Sequence, residues 1–458
     1  MSPEEVLRPQ IRGDVIAPAD PTYEATRRVN NGMIDRRPAL IVRCVDAADV
    51  TACVKTARDQ GLLLAVRGGG HNVAGLGTCD GGLVIDLSRM RSVRVDPDTC
   101  MARVEGGATL GDVDHASHGF GLAAPTGVMS TTGIGGIALH GGTGYLTRRF
   151  GLTLDNVLEA DVVTADGRLV VASETDNADL FWALRGGGGN FGVVTSMVLR
   201  LHPVHTILGG PVLWPIDRAG EALGFFADFV AKAPDTMSGI FAFLNVPPGP
   251  PFPEPLHRQT VCGIVFCYTG PQDTFEATYA PFRTFAPPAF EFLVPMPFPF
   301  LQTLFDPLYP AGLQQYWRGD NFAELTPAGI AAHTEWGARL PTPLSTILIY
   351  PIDGAVHRVA ESATAFGDRN VKWAQVIAGA DPNPANNDAM IGWVKSAWSA
   401  THPHGSGGVY LNFTGAEDQE RIRASYRGNY DRLRSVKRTW DPTNLFRVNH
   451  NIQPSPPS

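Results

Sequence analysis

Arg67-Gly68-Gly69-Gly70-His71-Asn72 is the stretch on which the reading of this chain turns. Three successive glycines have no side chains to hold neighbours away, so their N–H groups can converge on a pyrophosphate as an anion nest. A nucleophilic imidazole follows at once. The run comes after Leu62-Leu63-Leu64-Ala65-Val66, which reads as a buried strand, and before a second one, Leu83-Val84-Ile85-Asp86-Leu87. It is therefore a strand-to-strand loop. Two readings are open: a phosphate cradle with a histidine anchor, or a tight glycine turn with an incidental histidine.

Two further glycine clusters lie downstream. One runs from Thr132-Gly133-Ile134-Gly135-Gly136 to Gly141-Gly142-Thr143-Gly144; the other is Arg185-Gly186-Gly187-Gly188-Gly189-Asn190-Phe191-Gly192. Three in one half of a chain suggest one long, flat ligand. Gly187 to Gly192 formally fits G-x-G-x-x-G, but it follows the helical run Ala178 to Leu184 and precedes the strand Val193-Val194-Thr195. A dinucleotide fingerprint needs the reverse order, which disfavours an NAD site, and no G-x-x-x-x-G-K-[ST] loop is present.

At 458 residues the chain exceeds one ordinary core, and ~100 to 200 residues per domain predicts two or three domains. With 44% hydrophobic and 18% charged residues it reads as globular. A net charge of -8 without long runs of like charge argues against nucleic acid as a partner. Apolar stretches fall short of the ~18 residues that span a bilayer, and Met1-Ser2-Pro3-Glu4-Glu5 lacks a basic leader, so a soluble, cytoplasmic protein without membrane partners is expected. Cys44, Cys53, Cys79, Cys100, Cys262 and Cys267 show no metal-ligand spacing and read as buried thiols, so no metal site is expected.

Residues 38 to 203 mix strands such as Ala39-Leu40-Ile41-Val42 with a helix from Asp46 to Gln60. Val162-Val163-Thr164-Ala165 and Leu169-Val170-Val171 flank Asp166-Gly167 as a hairpin. After Leu201-His202-Pro203 the texture turns rich in proline and phenylalanine, so a second domain begins near 204. The segment Trp440 to Ile452 is too rich in amides and aromatics for a frayed tail, and returns to the first domain. The predicted division is 1–203 (core 36–203), 204–430 and 431–458.

In order over nearly the whole chain, Arg67 to Asn72, Gly133 to Gly144 with Arg149-Phe150-Gly151, Phe181-Trp182 with Arg185 to Gly192, Tyr410-Leu411-Asn412-Phe413 and Asp441 to Ile452 carry a resemblance. The chain resembles bacterial berberine-bridge-enzyme-like FAD-linked oxidases of the vanillyl-alcohol-oxidase superfamily. That implies an α+β, two-domain PCMH-type FAD-binding fold, with a substrate domain built on an antiparallel sheet covered by helices. It implies FAD bonded through its 8α-methyl carbon to His71, and contacts from Arg67, Gly68, Gly69, Gly70, Asn72, Thr132, Gly133, Gly135, Gly136, Gly141, Gly142, Gly192, Val194, Tyr410, Asn412, Asn449 and Asn451. Many members add a bond from a cysteine; Met129 stands at that position, so a single covalent link is predicted. Thr132 falls beside the flavin carbon at which oxygen reacts, where a short side chain favours O2 as acceptor.

The implied reaction transfers hydride from an alcohol, amine or phenol to flavin N5, with H2O2 as product and a base near that face. Tyr410 is the first candidate: strand alternation would put it on one face with Asn412, and matching tyrosines line the family's sites. As a base it would need a depressed pKa. Some relatives use a carboxylate on a substrate-domain strand, but Leu344 to Tyr350 has none, which leaves Tyr350 as a weaker candidate. Phe290 to Phe300 and then Tyr316-Trp317-Arg318 are expected to form an aromatic wall suited to a secondary metabolite. The alternatives are a dehydrogenase with another electron acceptor on the same fold, or a non-catalytic flavin-binding protein.

Overall fold

A computed structural model of the chain describes residues 1–415 and 419–456. Residues 416–418, in the expected second domain, and 457–458, at the end of the expected returning segment, lie outside the described residues. Three large sheets organise the protein, with a two-stranded ribbon of Leu122–Ala123 and His202–Pro203 beside them.

The first sheet places the parallel strands Leu40–Arg43, Leu83–Asp86 and Leu64–Arg67 side by side, with Asp14–Ile16 antiparallel on the outer edge. Its inner strand is buried at every residue, as expected of a parallel strand covered on both faces. The helix Ala47–Asp59 turns Val50, Cys53, Val54 and Ala57 onto it. Asp46 caps this helix by accepting from the N–H groups of Ala48 and Asp49. The His71 loop leaves the C-terminal end of a parallel strand, where ligand sites of such sheets gather.

The second sheet is antiparallel throughout, in the order Val93–Asp96, Met101–Glu105, Val193–Arg200, Val157–Val163 and Leu169–Ser173. The last two form the hairpin read from Asp166-Gly167, with Gly167 at φ 78°.

The third sheet has eight strands and runs from Phe290–Glu291 and Thr206–Pro215 across to Gln314–Phe322 at its far edge. Alternation sorts its side chains into two layers. Ile347, Ile349, Phe241, Phe243 and Ile377 pack beneath the helices Ala219–Val230 and Asn387–Thr401. Leu348, Tyr350, Val376 and Ala378 face the other way, toward Tyr145, Leu146 and Tyr410. The fold is α+β, with one antiparallel sheet covered by helices on a single face.

Buried ion pairs tie the two halves together. Arg369 grips Asp155 with two bonds of 2.9 and 2.7 Å, and Arg148 donates to Asp353 at 2.7 Å. Removing one partner from such a pair costs about 3–5 kcal/mol. The returning segment starts earlier than the expected 431: Val409, Leu411, Ile422, Tyr426, Leu433 and Ile452 share one core with Val104, Phe181 and Val194. The helices Gln419–Tyr426 and Tyr430–Trp440 turn Ile422, Tyr426, Leu433 and Val436 into that core. Among the described residues no helix is long and apolar enough to cross a membrane.

Candidate active site

The three glycine clusters converge on one cavity. A Cβ added to Gly69 would lie 2.4 Å from the backbone N of Gly133, and one added to Gly133 would lie 2.2 Å from that of Gly69. The first two clusters therefore touch backbone to backbone, which only glycine permits. Gly189, Gly192, Val193 and Val194 bring the third cluster to the same wall. Among the described residues no protein acceptor meets the N–H groups of Gly69, Gly70 or His71.

Arg67, Gly68, Gly69, Gly70, His71, Asn72, Thr132, Gly133, Gly135, Gly136, Gly192, Val194, Tyr350, Tyr410, Asn412 and Asn449 all border the cavity. Arg67 is held by Asp86 at 2.8 Å, and Asn72 caps its own loop by accepting from Leu76 N–H. Gly141 and Gly142 stand behind the wall: Gly142 N–H donates to the Tyr410 hydroxyl at 2.6 Å, and a Cβ on Gly141 would strike the Tyr410 ring. Asn451 does not border the cavity, whereas Asn449 and His450 do, because the segment turns between them.

Burial pushes the His71 ring down to about 4, opposed only by a hydrogen bond at the Thr131 backbone. The imidazole is therefore neutral near pH 7, with a lone pair available as a nucleophile. Two histidines that the sequence reading passed over stand in the same wall, His140 and His450, at 6.0 Å and edge to face. Burial lowers both, His450 to about 3. Their signal was position alone: one ends the run Ile134–His140, and the other sits between two asparagines.

Four expectations are corrected. Tyr410 is not on a strand: it precedes the tight helical turn Leu411–Phe413, and that turn lets Asn412 donate to its hydroxyl at 2.8 Å. Its pKa is not depressed either, since burial pushes it up to about 12 against the donors from Asn412, Gly142 and Thr143. Tyr316 lies on the far face of Gln314–Phe322, among the helices, because alternation sends Trp317 to the cavity and Tyr316 away from it. Phe290 to Phe300 does not reach the cavity. The wall opposite the glycine loops is Met129, Phe305, Tyr309, Trp317, Leu348 and Phe413, with Tyr350, Val376 and Ala378. Among the described residues no carboxylate borders the cavity, and the one guanidinium that does, Arg67, is already paired with Asp86.

Residues 38–173 match the FAD binding domain family, and residues 409–453 the berberine and berberine-like family. The (R)-6-hydroxynicotine oxidase of Paenarthrobacter nicotinovorans is 30% identical over 461 residues, covering 97% of each chain. An FAD-linked oxidoreductase of Dictyostelium discoideum is 30% identical over 91% of this chain and 89% of its own. The chain belongs to the berberine-like FAD-linked oxidoreductases. A solved 6-hydroxy-D-nicotine oxidase from Arthrobacter nicotinovorans superposes on this FAD-linked oxidoreductase with a TM-score of 0.86 at 28% identity, covering 97% of this chain and 98% of that one. The xylooligosaccharide oxidase from Myceliophthora thermophila shares its fold at a TM-score of 0.85 and 24% identity, covering all of both chains.

The residues present fit FAD. A Cβ on Gly136 or Gly189 would meet no protein atom within 4 Å, so both glycines leave a bare backbone wall for a ligand. His140 Nε2, His450 Nε2, Asn449 Oδ1, Thr143 Oγ1 and Trp317 Nε1 are buried polar atoms in that wall without protein partners. None of the six cysteines borders the cavity.

Proposed function

We propose that this FAD-linked oxidoreductase is an oxidase whose flavin is held by one covalent bond to His71, and that it acts on an uncharged aromatic or polyketide-like small molecule. The observation that carries the reading is a neutral imidazole set in a glycine cradle, across one cavity from an aromatic wall. A ring nitrogen of His71 would hold FAD through its 8α-methyl carbon, each giving up one hydrogen that O2 would carry off as H2O2. With Met129 in the cysteine position, this single link is the whole attachment. Bound FAD supplies a two-electron acceptor that takes hydride at N5 from an alcohol, amine or phenol and passes both electrons to O2, giving H2O2.

The protein's own groups set the rest. Tyr410 keeps its proton near pH 7; with its oxygen accepting from Gly142 and Asn412, its O–H is the remaining donor for the substrate heteroatom. The wall of Phe305, Trp317, Tyr350 and Phe413 excludes water and accepts a flat apolar face. Among the described residues lining the cavity a charged amine or acid would find no free counter-ion, and entering unpaired costs several kcal/mol. Thr132 keeps a short side chain on the glycine side, leaving room for O2.

The test is an absorption spectrum before and after acid precipitation, with the intact mass of the pellet. Yellow colour retained, with the mass of one FAD on the His71 peptide, supports the anchor. Colour lost to the supernatant removes it. Anaerobic reduction by a bicyclic aromatic alcohol, followed by reoxidation in air within seconds, supports the oxidase; slow reoxidation points to a dehydrogenase.

A further inference from the structure

The segment Asn30–Gly32 has no regular structure, yet it bridges the two walls of the cavity. On the flavin side, Asn30 N–H donates to Gly70 O at 3.1 Å and Asn31 Nδ2 donates to Val73 O at 2.7 Å, so the bonds straddle His71. On the substrate side, Gly312 N–H donates to Asn30 O at 2.8 Å and Gly32 N–H to Leu313 O at 2.7 Å. Asn31 then takes both backbone groups of Gln315: its Nδ2 donates to Gln315 O at 2.9 Å, and its Oδ1 accepts from Gln315 N–H at 3.0 Å.

Gln314–Phe322 is the edge strand of the third sheet, and Gln315 is two residues from Trp317, on the same face. The Asn31 amide thus completes an edge that would otherwise present free backbone groups. Asn31 is 3% exposed and uses both amide hydrogens and both oxygen lone pairs, the fourth bond coming from Met33 N–H at 3.0 Å. Leucine or aspartate could not replace it: the first has no polar atoms, and the second has no donor for the two carbonyls.

We propose that Asn31 is a positioning residue whose amide sets the separation between the His71 loop and the strand carrying Trp317. One side chain thereby registers the flavin attachment point against the substrate wall. The proposal rests on the His71 anchor for its first readout, and has a second that does not need it.

Full-length Asn31→Ala is compared with wild type and with Asn245→Ala. Asn245 is an amide remote from the cavity that donates to Thr342 O at 3.2 Å and accepts from the Thr260 hydroxyl at 2.8 Å. Covalent FAD incorporation is followed by intact mass, and flavin geometry by visible circular dichroism. Incorporation in Asn31→Ala slows by about tenfold or more, because misplacing reacting atoms by about 1 Å costs up to about a hundredfold. Its flavin dichroism also changes, while Asn245→Ala matches wild type in both, even where its thermal midpoint drops.

Gly32→Ala repeats the test with the Asn31 amide intact, since its new Cβ would lie 2.2 Å from Gly312 O and push the strand away. It also decides the matter if Asn31→Ala does not fold. Wild-type incorporation and dichroism in these variants, with only the midpoint lowered, overturn the proposal. If wild type carries no covalent FAD, the anchor fails by itself. The variants are then compared by dichroism and by the dissociation constant for FAD, and wild-type values in Asn31→Ala overturn the positioning role.

Discussion

Lys437→Met probes the lock on the returning segment. The Lys437 ammonium is fully buried and donates to Asp441 Oδ2 at 2.7 Å, Asn190 O at 2.6 Å and Phe446 O at 2.9 Å. Asp441 in turn accepts from the N–H groups of Leu445 and Phe446, both at 2.8 Å. The network joins the third glycine cluster to the irregular segment that presents Asn449 and His450 to the cavity. Burial lowers the lysine pKa, and Asp441 is the main opposing influence, so neither charge stands without the other. Methionine fills much the same space but leaves the carboxylate with two backbone donors and no cation. Breaking a buried pair costs about 3–5 kcal/mol, and the two retained donors put this case near about 3 kcal/mol, roughly a hundredfold in the folded-to-unfolded ratio. Urea denaturation followed by tryptophan fluorescence measures it, with flavin release recorded in parallel. Lys437→Met with Asp441→Asn recovers about half of the loss, since the uncompensated charge is gone while an acceptor remains. A single-variant cost below about 1 kcal/mol, or a double variant no better than the single, refutes the charge argument.

Gly136→Ala and Gly189→Ala should fold with wild-type midpoints, because neither Cβ meets protein, yet carry less flavin on absorbance against protein concentration. Trp317→Ala should raise the KM for an aromatic substrate by about tenfold, whereas Tyr316→Phe leaves it unchanged, as steady-state peroxide assays would show. Asp114 has both carboxylate oxygens buried without partners, and burial pushes its pKa up to about 7. A raised carboxyl pKa contributes stability at low pH that is lost as pH rises through the window from about 4 to 7. Asp114→Asn should therefore gain on wild type across that window and hold a constant difference above it; urea midpoints at pH 4, 5.5, 7 and 8 measure this, and a constant difference throughout contradicts the shift.

Much of the flavin side was legible in the chain itself. Short continuous apolar runs on either side of Arg67 to Asn72 and at Val193-Val194 mark buried strands, and glycine runs between elements mark close backbone approach, because both are local constraints on φ, ψ and side-chain volume. Motif order then carried the family resemblance. The substrate side was legible only in part. Alternation could pair Trp317 with Gln315 and oppose it to Tyr316, but not say which face meets the ligand, since that depends on which layer the helices cover. Alternation along Val409 to Phe413 predicts a strand at Tyr410, while the hydrogen bonds its hydroxyl accepts from Gly142 and Asn412 stabilise a turn instead. His140, His450 and Asn31 carry no signature of their own type; distant backbone brings them to the cavity. Sequence determined the local elements and the chemistry available at the glycine loops, and tertiary structure decided which side chains share a desolvated space, because burial and partners, which set pKa and reactivity, are properties of packing rather than of order along the chain.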